Sequence, residues 1–141
     1  MQKLPIGIQN FEDIRIENYL YVDKTKQILN LIENGKCYFL SRPRRFGKSL
    51  TLSTLESMFQ GKAELFKGLY VEEWVKEQAK HPSPVIKLDM SVLGSYDNKK
   101  ELNRSIINYF VRYYIKKYKL DMLVKDNADN VFLDLINEIA K

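Results

Sequence analysis

One segment constrains the fold of this chain more than any other: the sequence YFLSRPRRFGKSL at residues 38–50. A short apolar run is followed by a tight loop, and Gly-Lys-Ser then begins a helical pattern. This order of strand, loop and helix is typical of a phosphate-binding P-loop, also called the Walker A motif. The backbone N–H groups of such a loop point at phosphate oxygens, and the helix N-terminus adds partial positive charge.

The loop supplies candidate residues for binding ATP and Mg²⁺. The side chain of Lys48 is expected to reach the outer phosphates, and the Ser49 hydroxyl is expected to ligate magnesium. Gly47 lets the backbone approach the ligand, and the N–H groups of residues 44–50 form the cradle. The motif is imperfect, because it places glycine where this chain has Arg42. The predicted nucleotide-binding residues of the loop are Arg42, Pro43, Arg44, Arg45, Phe46, Gly47, Lys48, Ser49 and Leu50.

The positive charge of the chain is concentrated at this loop. Five basic residues and no acidic residue lie between Gly35 and Leu55, and the formal net charge of the whole chain is +5. Like charges repel unless an anion lies among them, and a nucleoside triphosphate is such an anion. The alternative is a basic turn that binds nothing, with its arginines in water or paired with acidic groups elsewhere. The basic residues are Lys36, Arg42, Arg44, Arg45 and Lys48.

The chain as a whole alternates between two patterns. Apolar runs predict strands at residues 18–22, 36–40 and 85–89. Helical periodicity predicts helices at residues 23–34, 49–59, 72–80, 98–119 and 131–140. Strands that alternate with helices predict an α/β fold of the P-loop NTPase type, a parallel sheet flanked by helices. The predicted organisation is one domain over residues 1–141: a lead-in strand and helix at 1–35, the P-loop unit at 36–60, and a second strand with helices at 61–141.

The same patterns predict which side chains are buried. Cys37 lies in a predicted strand, where a small buried thiol is the default interpretation. Gly35 and Gly61 are expected to end their helices. The apolar positions expected to face the core are Ile28, Leu29, Leu31 and Ile32 in the first long helix and Leu52, Leu55, Met58 and Phe59 in the P-loop helix.

On these motifs the chain resembles the AAA-ATPase-like family of bacterial and archaeal proteins. The form Arg-Pro-Arg-Arg-Phe-Gly-Lys-Ser at residues 42–49 is highly specific to that family, including its loss of the first glycine. The first hundred residues resemble the family well and the remainder does so loosely. The resembling segments are PIGIQNF at 5–11, YLYVDKT at 19–25, FLSRPRRFGKSL at 39–50, LFKGL at 65–69 and VIKLDMS at 85–91.

This resemblance implies a P-loop ATPase domain that usually precedes a nuclease-like domain of the PD-(D/E)xK type. It also implies an acidic Walker B strand beyond the region matched here. The chain therefore looks like the N-terminal part of a longer protein, truncated before that strand and inactive as an ATPase alone. Asp89 ends an apolar run and is an alternative candidate for the acid, although the resemblance identifies its strand as the second strand of the core.

The turn Asp23-Lys24-Thr25 has two interpretations. Asp23 suits the N-cap of the helix that follows it, which is the structural interpretation. By resemblance, the turn precedes the P-loop and lines the base and ribose of the nucleotide. Asp23 is therefore a further candidate nucleotide-binding residue.

The long helix at residues 98–119 supports a rival function, nucleic-acid binding. It alternates Tyr109, Tyr113, Tyr114 and Tyr118 with Arg112, Lys116, Lys117 and Lys119, which suits a phosphate backbone and stacked bases. The interpretation we favour puts Leu102, Ile106, Tyr109, Phe110 and Tyr113 in the core, and Arg104, Asn108, Arg112, Lys116 and Lys119 in solvent. A third interpretation is an interaction module that binds a nucleotide without hydrolysing it. In the interpretation we favour, nucleic acid is expected to be contacted only through the full-length protein.

Composition narrows the class of protein. The chain has one cysteine, which excludes a disulfide framework and favours a reducing compartment. Its single histidine, His81, lacks partners at zinc-ligand spacing. The sequence shows neither a signal peptide nor an apolar run long enough to cross a membrane. We therefore expect a cytoplasmic protein that does not bind membranes.

Overall fold

The computed structural model describes residues 2–93, 97–120 and 131–140. Two short 3₁₀-helices occur, at Ala63–Phe66 and Met90–Leu93, and a π-helical turn, Ile107–Val111, joins two of the α-helices. The α-helices in the described residues are α1 (Phe11–Ile16), α2 (Thr25–Asn34), α3 (Lys48–Phe59), α4 (Glu72–Gln78), α5 (Lys99–Ile106), α6 (Arg112–Tyr118) and α7 (Val131–Ile139).

The prediction of a parallel α/β sheet is wrong, because none of the described residues forms a strand. The predicted strands at 18–22, 36–40 and 85–89 have no regular secondary structure. A strand is stable only when a neighbour completes its hydrogen-bond ladder and a layer of structure covers one face. Residues 37–40 have neither, since the Phe39 side chain is 94% exposed and Tyr38 and Leu40 are exposed as well. The prediction of a buried Cys37 fails for the same reason, because its thiol is exposed.

The predicted helices are confirmed, with ends close to the expected residues. Gly35 is the C-cap of α2, and Gly61, just beyond the end of α3, has a positive φ of 66°. Helix α1 was not predicted from the sequence, because its six residues are too few to show periodicity. Its N-cap is Asn10, whose side-chain oxygen accepts a hydrogen bond from the N–H of Glu12.

The chain forms two compact units, Met1–Val85 and Ile86–Lys141. The core of the first unit is built on Phe11, whose ring centroid lies 4.7 Å from that of Phe66 and 5.1 Å from that of Tyr21. The buried apolar residues of this core are Phe11, Ile28, Met58, Leu65, Phe66, Val71 and Val75.

The prediction of the buried face of α3 is partly confirmed, because Met58 is buried and Leu55 and Phe59 are half-buried. Leu52 is 53% exposed, while Ser53 and Thr54 are buried. The reason is a polar contact with the start of α1: the Ser53 hydroxyl accepts a hydrogen bond from the N–H of Phe11 at 2.9 Å and donates to the Asn10 side chain at 2.8 Å. A small hydroxyl lets the two helices approach closely, so the pairing of α1 with α3, rather than apolarity alone, fixes which face is buried.

In α2 the prediction of the buried side is partly confirmed. Ile28 is buried, Leu29 and Ile32 are half-buried and pack against the core, and Leu31 is exposed.

The second unit packs the π-helical turn and α6 against α7. Val111, Tyr114, Val131 and Leu135 form its buried core. The Tyr114 hydroxyl donates a hydrogen bond to the carbonyl oxygen of Lys87 at 2.7 Å and accepts one from the N–H of the same residue. This contact anchors the segment before the 3₁₀-helix Met90–Leu93 on α6. Residues 121–130, a polar stretch of the sequence, lie outside the described residues.

The predicted faces of the long helix are partly confirmed. Phe110 is buried, Leu102 and Ile106 are half-buried, and the residues predicted to face solvent, Arg104, Asn108, Arg112, Lys116 and Lys119, are exposed. The prediction is wrong for the two tyrosines. Ile107, Phe110, Val111 and Tyr114 are buried, whereas Tyr109 and Tyr113 are each 57% exposed. The observed pattern has the predicted spacing moved by one position, which rotates the helix by about 100°. The branched side chains of Ile107 and Val111 have no polar atoms, so exposing them to water costs more free energy than exposing tyrosines, whose hydroxyl groups hydrogen bond with water.

Candidate functional site

The backbone of the predicted loop is strained at the entrance to α3. Gly47, the N-cap of α3, has φ 75°, and Arg45 has φ 66°. The left-handed region costs a residue with a Cβ roughly 1–2 kcal/mol, so Arg45 is held there against its own preference. Such outliers concentrate at binding sites, where the loop must present its amide groups in a fixed direction.

Helix α3 begins without the groups that normally satisfy a helix N-terminus. Gly47 has no side chain to cap the first turn, and that turn contains no acidic residue. The first backbone hydrogen bond runs from the N–H of Thr51 to the carbonyl oxygen of Gly47 at 2.9 Å. The N–H groups of Lys48, Ser49 and Leu50 therefore have no acceptor within the helix. With a lysine as its first residue, this N-terminus suits an anion.

Lys48 folds back across the loop. Its Nζ atom donates a hydrogen bond to the carbonyl oxygen of Arg42 at 2.7 Å. Arg44, Arg45 and Ser49 are exposed beside it. Arg44, Arg45 and Lys48 are therefore exposed cations of one loop that ends at the uncapped terminus of α3.

A cavity of about 280 Å³ lies next to the loop, within the first unit. It is close to the lower end of the range of ligand pockets, roughly 300–1,000 Å³. Its walls are mainly apolar, and Arg42, Phe46 and Gly47 line the side that faces the loop. The remaining lining residues are Leu4, Pro5, Ile14, Leu20, Tyr21, Val22, Lys24, Ile28, Leu50, Thr51 and Thr54.

Most of this cavity was missed by reasoning from the sequence. Leu4 and Pro5 come from the N-terminal segment, and residues 20–22 from the connection between α1 and α2. The available indication was indirect: both segments belong to the stretches that resemble the AAA-ATPase-like family. Neither has the composition of a binding motif, so only their position beside α3 identifies them.

Tyr21 is the aromatic side chain that connects the cavity to the core. Burial raises the pKa of its hydroxyl, a hydrogen bond with the Thr54 side chain lowers it, and the nearby Asp23 carboxylate raises it, with a raised pKa as the result. The hydroxyl therefore stays protonated at neutral pH. Thr54, in turn, donates its hydroxyl proton to the carbonyl oxygen of Leu50 at 2.8 Å.

Asp23 holds two parts of the first unit together. One carboxylate oxygen accepts hydrogen bonds from the N–H and the hydroxyl of Thr25, at 2.8 and 2.6 Å. The other accepts from the N–H of Tyr70 at 2.8 Å. The N-cap position itself belongs to Lys24, one residue later than expected. Partial burial raises the pKa of Asp23, but these hydrogen bonds outweigh it and hold the pKa below its usual range.

The predicted magnesium ligand, Ser49, is exposed in the first turn of α3. No group of three His, Cys, Asp or Glu side chains that could hold a metal occurs among the described residues. Mg²⁺ is commonly bound by one or two protein oxygens together with water and substrate phosphates, and Ser49 fits that pattern. Asp89 belongs to the second unit, and one of its oxygens accepts hydrogen bonds from the N–H and hydroxyl of Ser91, at 3.0 and 2.6 Å.

Comparison with known proteins gives one family. A family model named AAA-ATPase_like and described as "Predicted AAA-ATPase" matches residues 5–141. The chain is 56% identical over 82 residues to a protein of Azotobacter chroococcum mcd 1 described as "Uncharacterized protein in vnfD 5'region". That match covers 57% of this chain and 16% of the relative, so the chain spans a small part of that protein's length. No solved structure matches the chain. None of the helices in the described ranges is both long and apolar enough to cross a membrane.

Proposed function

This chain belongs to the AAA-ATPase-like family of predicted AAA-ATPases, and we propose that it binds ATP, with the phosphates on the loop at residues 42–50 and the base in the adjoining cavity. The observation that carries the proposal is the uncapped N-terminus of α3 behind a loop held in the left-handed region at Arg45 and Gly47. A loop of this kind concentrates N–H donors on one anion.

The side chains around the loop supply charge for a triphosphate. The Lys48 side chain can reach across the loop, since it extends from the start of α3 to the carbonyl oxygen of Arg42. A phosphate oxygen is a stronger acceptor than a neutral carbonyl, so a bound nucleotide would take over this donor. Arg44 and Arg45 are exposed on the same loop and provide further cations for phosphate or for a neighbouring molecule.

The cavity suits the uncharged half of a nucleotide. Its lining combines Arg42, Phe46 and Gly47 of the loop with aliphatic side chains such as Leu4 and Val22. A flat base is stabilised there by apolar contact. Magnesium, when bound, would neutralise phosphate charge, with the Ser49 hydroxyl as its ligand from the described loop. In this proposal Asp23 positions α2 rather than the ribose, because both of its oxygens already accept hydrogen bonds.

The two halves of the proposal can be tested separately with ATP and inorganic tripolyphosphate as competitors of a fluorescent ATP analogue in the presence of Mg²⁺. We expect Lys48→Ala to lower the affinity for both competitors roughly ten- to a hundred-fold, because each loses a charge-assisted phosphate contact. Val22→Glu places a carboxylate in the cavity wall, so it should lower the affinity for ATP and leave the affinity for tripolyphosphate unchanged.

The matched control is Lys36→Ala. Lys36 is an exposed cation of the same basic segment outside the loop, so its removal should change either affinity only a few-fold. Equal affinities of wild type and Lys48→Ala would contradict phosphate binding by the loop. Equal loss of ATP and tripolyphosphate in Val22→Glu would contradict the position of the base.

A further inference from the structure

One side of the helical segment in the second unit carries exposed aromatic and basic side chains in a regular pattern. Tyr109 and Tyr113 are each 57% exposed, and Arg112 and Lys116 are exposed beside them. Their spacing of three and four residues makes them neighbours on a helix surface. We call these four residues, Tyr109, Arg112, Tyr113 and Lys116, the aromatic–basic stripe.

Neither tyrosine of the stripe is buried in the core of the unit, and only Tyr113 contacts a described core residue, with its ring centroid 5.0 Å from that of Tyr114 in an edge-on arrangement. The buried positions of the same segment are Ile107, Phe110, Val111 and Tyr114. A tyrosine with more than half of its surface in water exposes a large apolar ring next to its hydroxyl. Two such rings in successive turns, each beside a cation, form a surface that stability alone does not explain.

The stretch of chain that carries the stripe has charge of a single sign. Residues 102–120 contain five basic residues and no acidic residue. The Nζ atom of Lys117 lies 5.9 Å from the ring centroid of Tyr113, so a third cation stands beside that ring. Charge of one sign on a helix surface, without intervening carboxylates, attracts a polyanion.

We propose that the aromatic–basic stripe binds single-stranded nucleic acid. Arg112, Lys116 and Lys117 contact phosphates, while unpaired bases stack on the rings of Tyr109 and Tyr113. Stacking needs bases that are not already stacked in a duplex, so the rings favour a single strand over double-stranded DNA. Every base has a π face, so this surface has little sequence preference. The stripe belongs to the unit Ile86–Lys141, so the inference is independent of the nucleotide site proposed in the first unit.

The electrostatic part is tested by fluorescence anisotropy of the whole chain with labelled oligo(dT) over a series of salt concentrations. In the double variant Arg112→Gln, Lys116→Gln we expect weaker binding, and a slope of log K against log salt that is shallower by about 1.4. The matched control is Lys76→Gln, Lys80→Gln, which changes the net charge equally. Its lysines are already paired with Glu72, Glu73 and Glu77 on α4, so both affinity and slope should stay close to wild type.

The aromatic part is tested by comparing Tyr109→Ala, Tyr113→Ala with Tyr109→Phe, Tyr113→Phe. Each lost stacking contact should lower affinity roughly 5- to 150-fold, whereas phenylalanine keeps a ring for stacking and should retain most of the binding. Lys48→Ala should bind oligo(dT) as wild type does, which separates this surface from the phosphate loop. Circular dichroism and melting curves check that each variant is folded.

Three results would overturn the proposal. The first is an equal loss of oligo(dT) affinity in the charge variant of the stripe and in the control lysine variant. The others are equal affinities of the alanine and phenylalanine variants, or duplex DNA bound as tightly as oligo(dT). If the alanine variant fails to fold, the comparison of the two charge variants still decides the matter, because all four substitutions lie on exposed positions.

Discussion

Gly47 and Gly68 have nearly the same backbone conformation, with φ values of 75° and 78°. A Cβ built on either residue meets no heavy atom within 4 Å beyond its chain neighbours. Each glycine is therefore required for its φ and not for lack of space. They differ in position, because Gly47 begins the helix behind the phosphate loop and Gly68 lies in the connection before α4.

Alanine substitutions at these two glycines should affect stability alike but ATP binding differently. Gly47→Ala and Gly68→Ala should each lower the free energy of unfolding by about 1–2 kcal/mol, the cost of a left-handed residue with a Cβ. Only Gly47→Ala should also weaken ATP binding, because its methyl group occupies the space through which a phosphate approaches. Urea unfolding and nucleotide titration of both variants provide the measurement. A similar effect of both on ATP affinity would show that loss of binding reflects destabilisation.

Asp23 predicts a pH dependence of stability. Its hydrogen bonds from Thr25 and Tyr70 hold its pKa below the usual value, so the carboxylate stabilises the fold above the pKa of the unfolded chain. That contribution is lost as the pH falls through the lower pKa of the folded state. Asp23→Asn should therefore cost about 1 kcal/mol at pH 7, because solvent screens this exposed group, and progressively less below about pH 4.

The measurement for Asp23 is urea unfolding of both proteins at a series of pH values. The control is Glu33→Gln, which replaces an exposed carboxylate in α2. The difference in free energy of unfolding between wild type and this variant should not decrease comparably as the pH falls. A difference between wild type and Asp23→Asn that is constant from pH 7 to acid would mean that the charge of Asp23 does not matter to the fold.

The helices could be predicted from the sequence because their determinants are local. Glycines end α2 and α3, and Asn98 caps α5 by accepting a hydrogen bond from the N–H of Glu101. The sequence could not show that the predicted strands would be absent from the described residues. An apolar run such as residues 36–40 becomes a strand only when a distant segment pairs with it. Local pattern carries no information on whether such a partner is present.

The candidate site could be predicted in part for the same reason. The loop at residues 42–49 is contiguous, so its motif, the start of α3 to within one residue and the family were all found from the sequence. Part of the cavity wall comes from segments far from the loop along the chain, such as Leu4 and Pro5. The rotation that exposes Tyr109 and Tyr113 depends on packing against α7, which periodicity alone does not specify.

Adjacent tyrosines of the long helix allow a matched test of packing. Tyr114 is 2% exposed, and its hydroxyl hydrogen bonds with both backbone groups of Lys87, whereas Tyr113 is exposed. Tyr114→Phe removes two hydrogen bonds, each worth about 0.5–1.5 kcal/mol, and should therefore destabilise the second unit by about 1–3 kcal/mol. Tyr113→Phe should change stability by less than about 0.5 kcal/mol. Thermal and urea unfolding followed by circular dichroism would measure both, and equal effects would contradict the assigned core.

The last prediction concerns turnover. Phosphoryl transfer requires an oriented water and stabilisation of the charge that develops on the phosphates, and a carboxylate commonly completes the metal shell. The loop offers Lys48 and the Ser49 hydroxyl, but none of the described residues that line the cavity carries a carboxylate. We therefore expect this chain to bind ATP without releasing phosphate faster than Lys48→Ala does. A phosphate-release assay with Mg²⁺ on the purified chain, Lys48→Ala and Asp89→Asn makes the comparison. Release well above the Lys48→Ala background that also disappears in Asp89→Asn would contradict this expectation and identify Asp89 as the acid of the site.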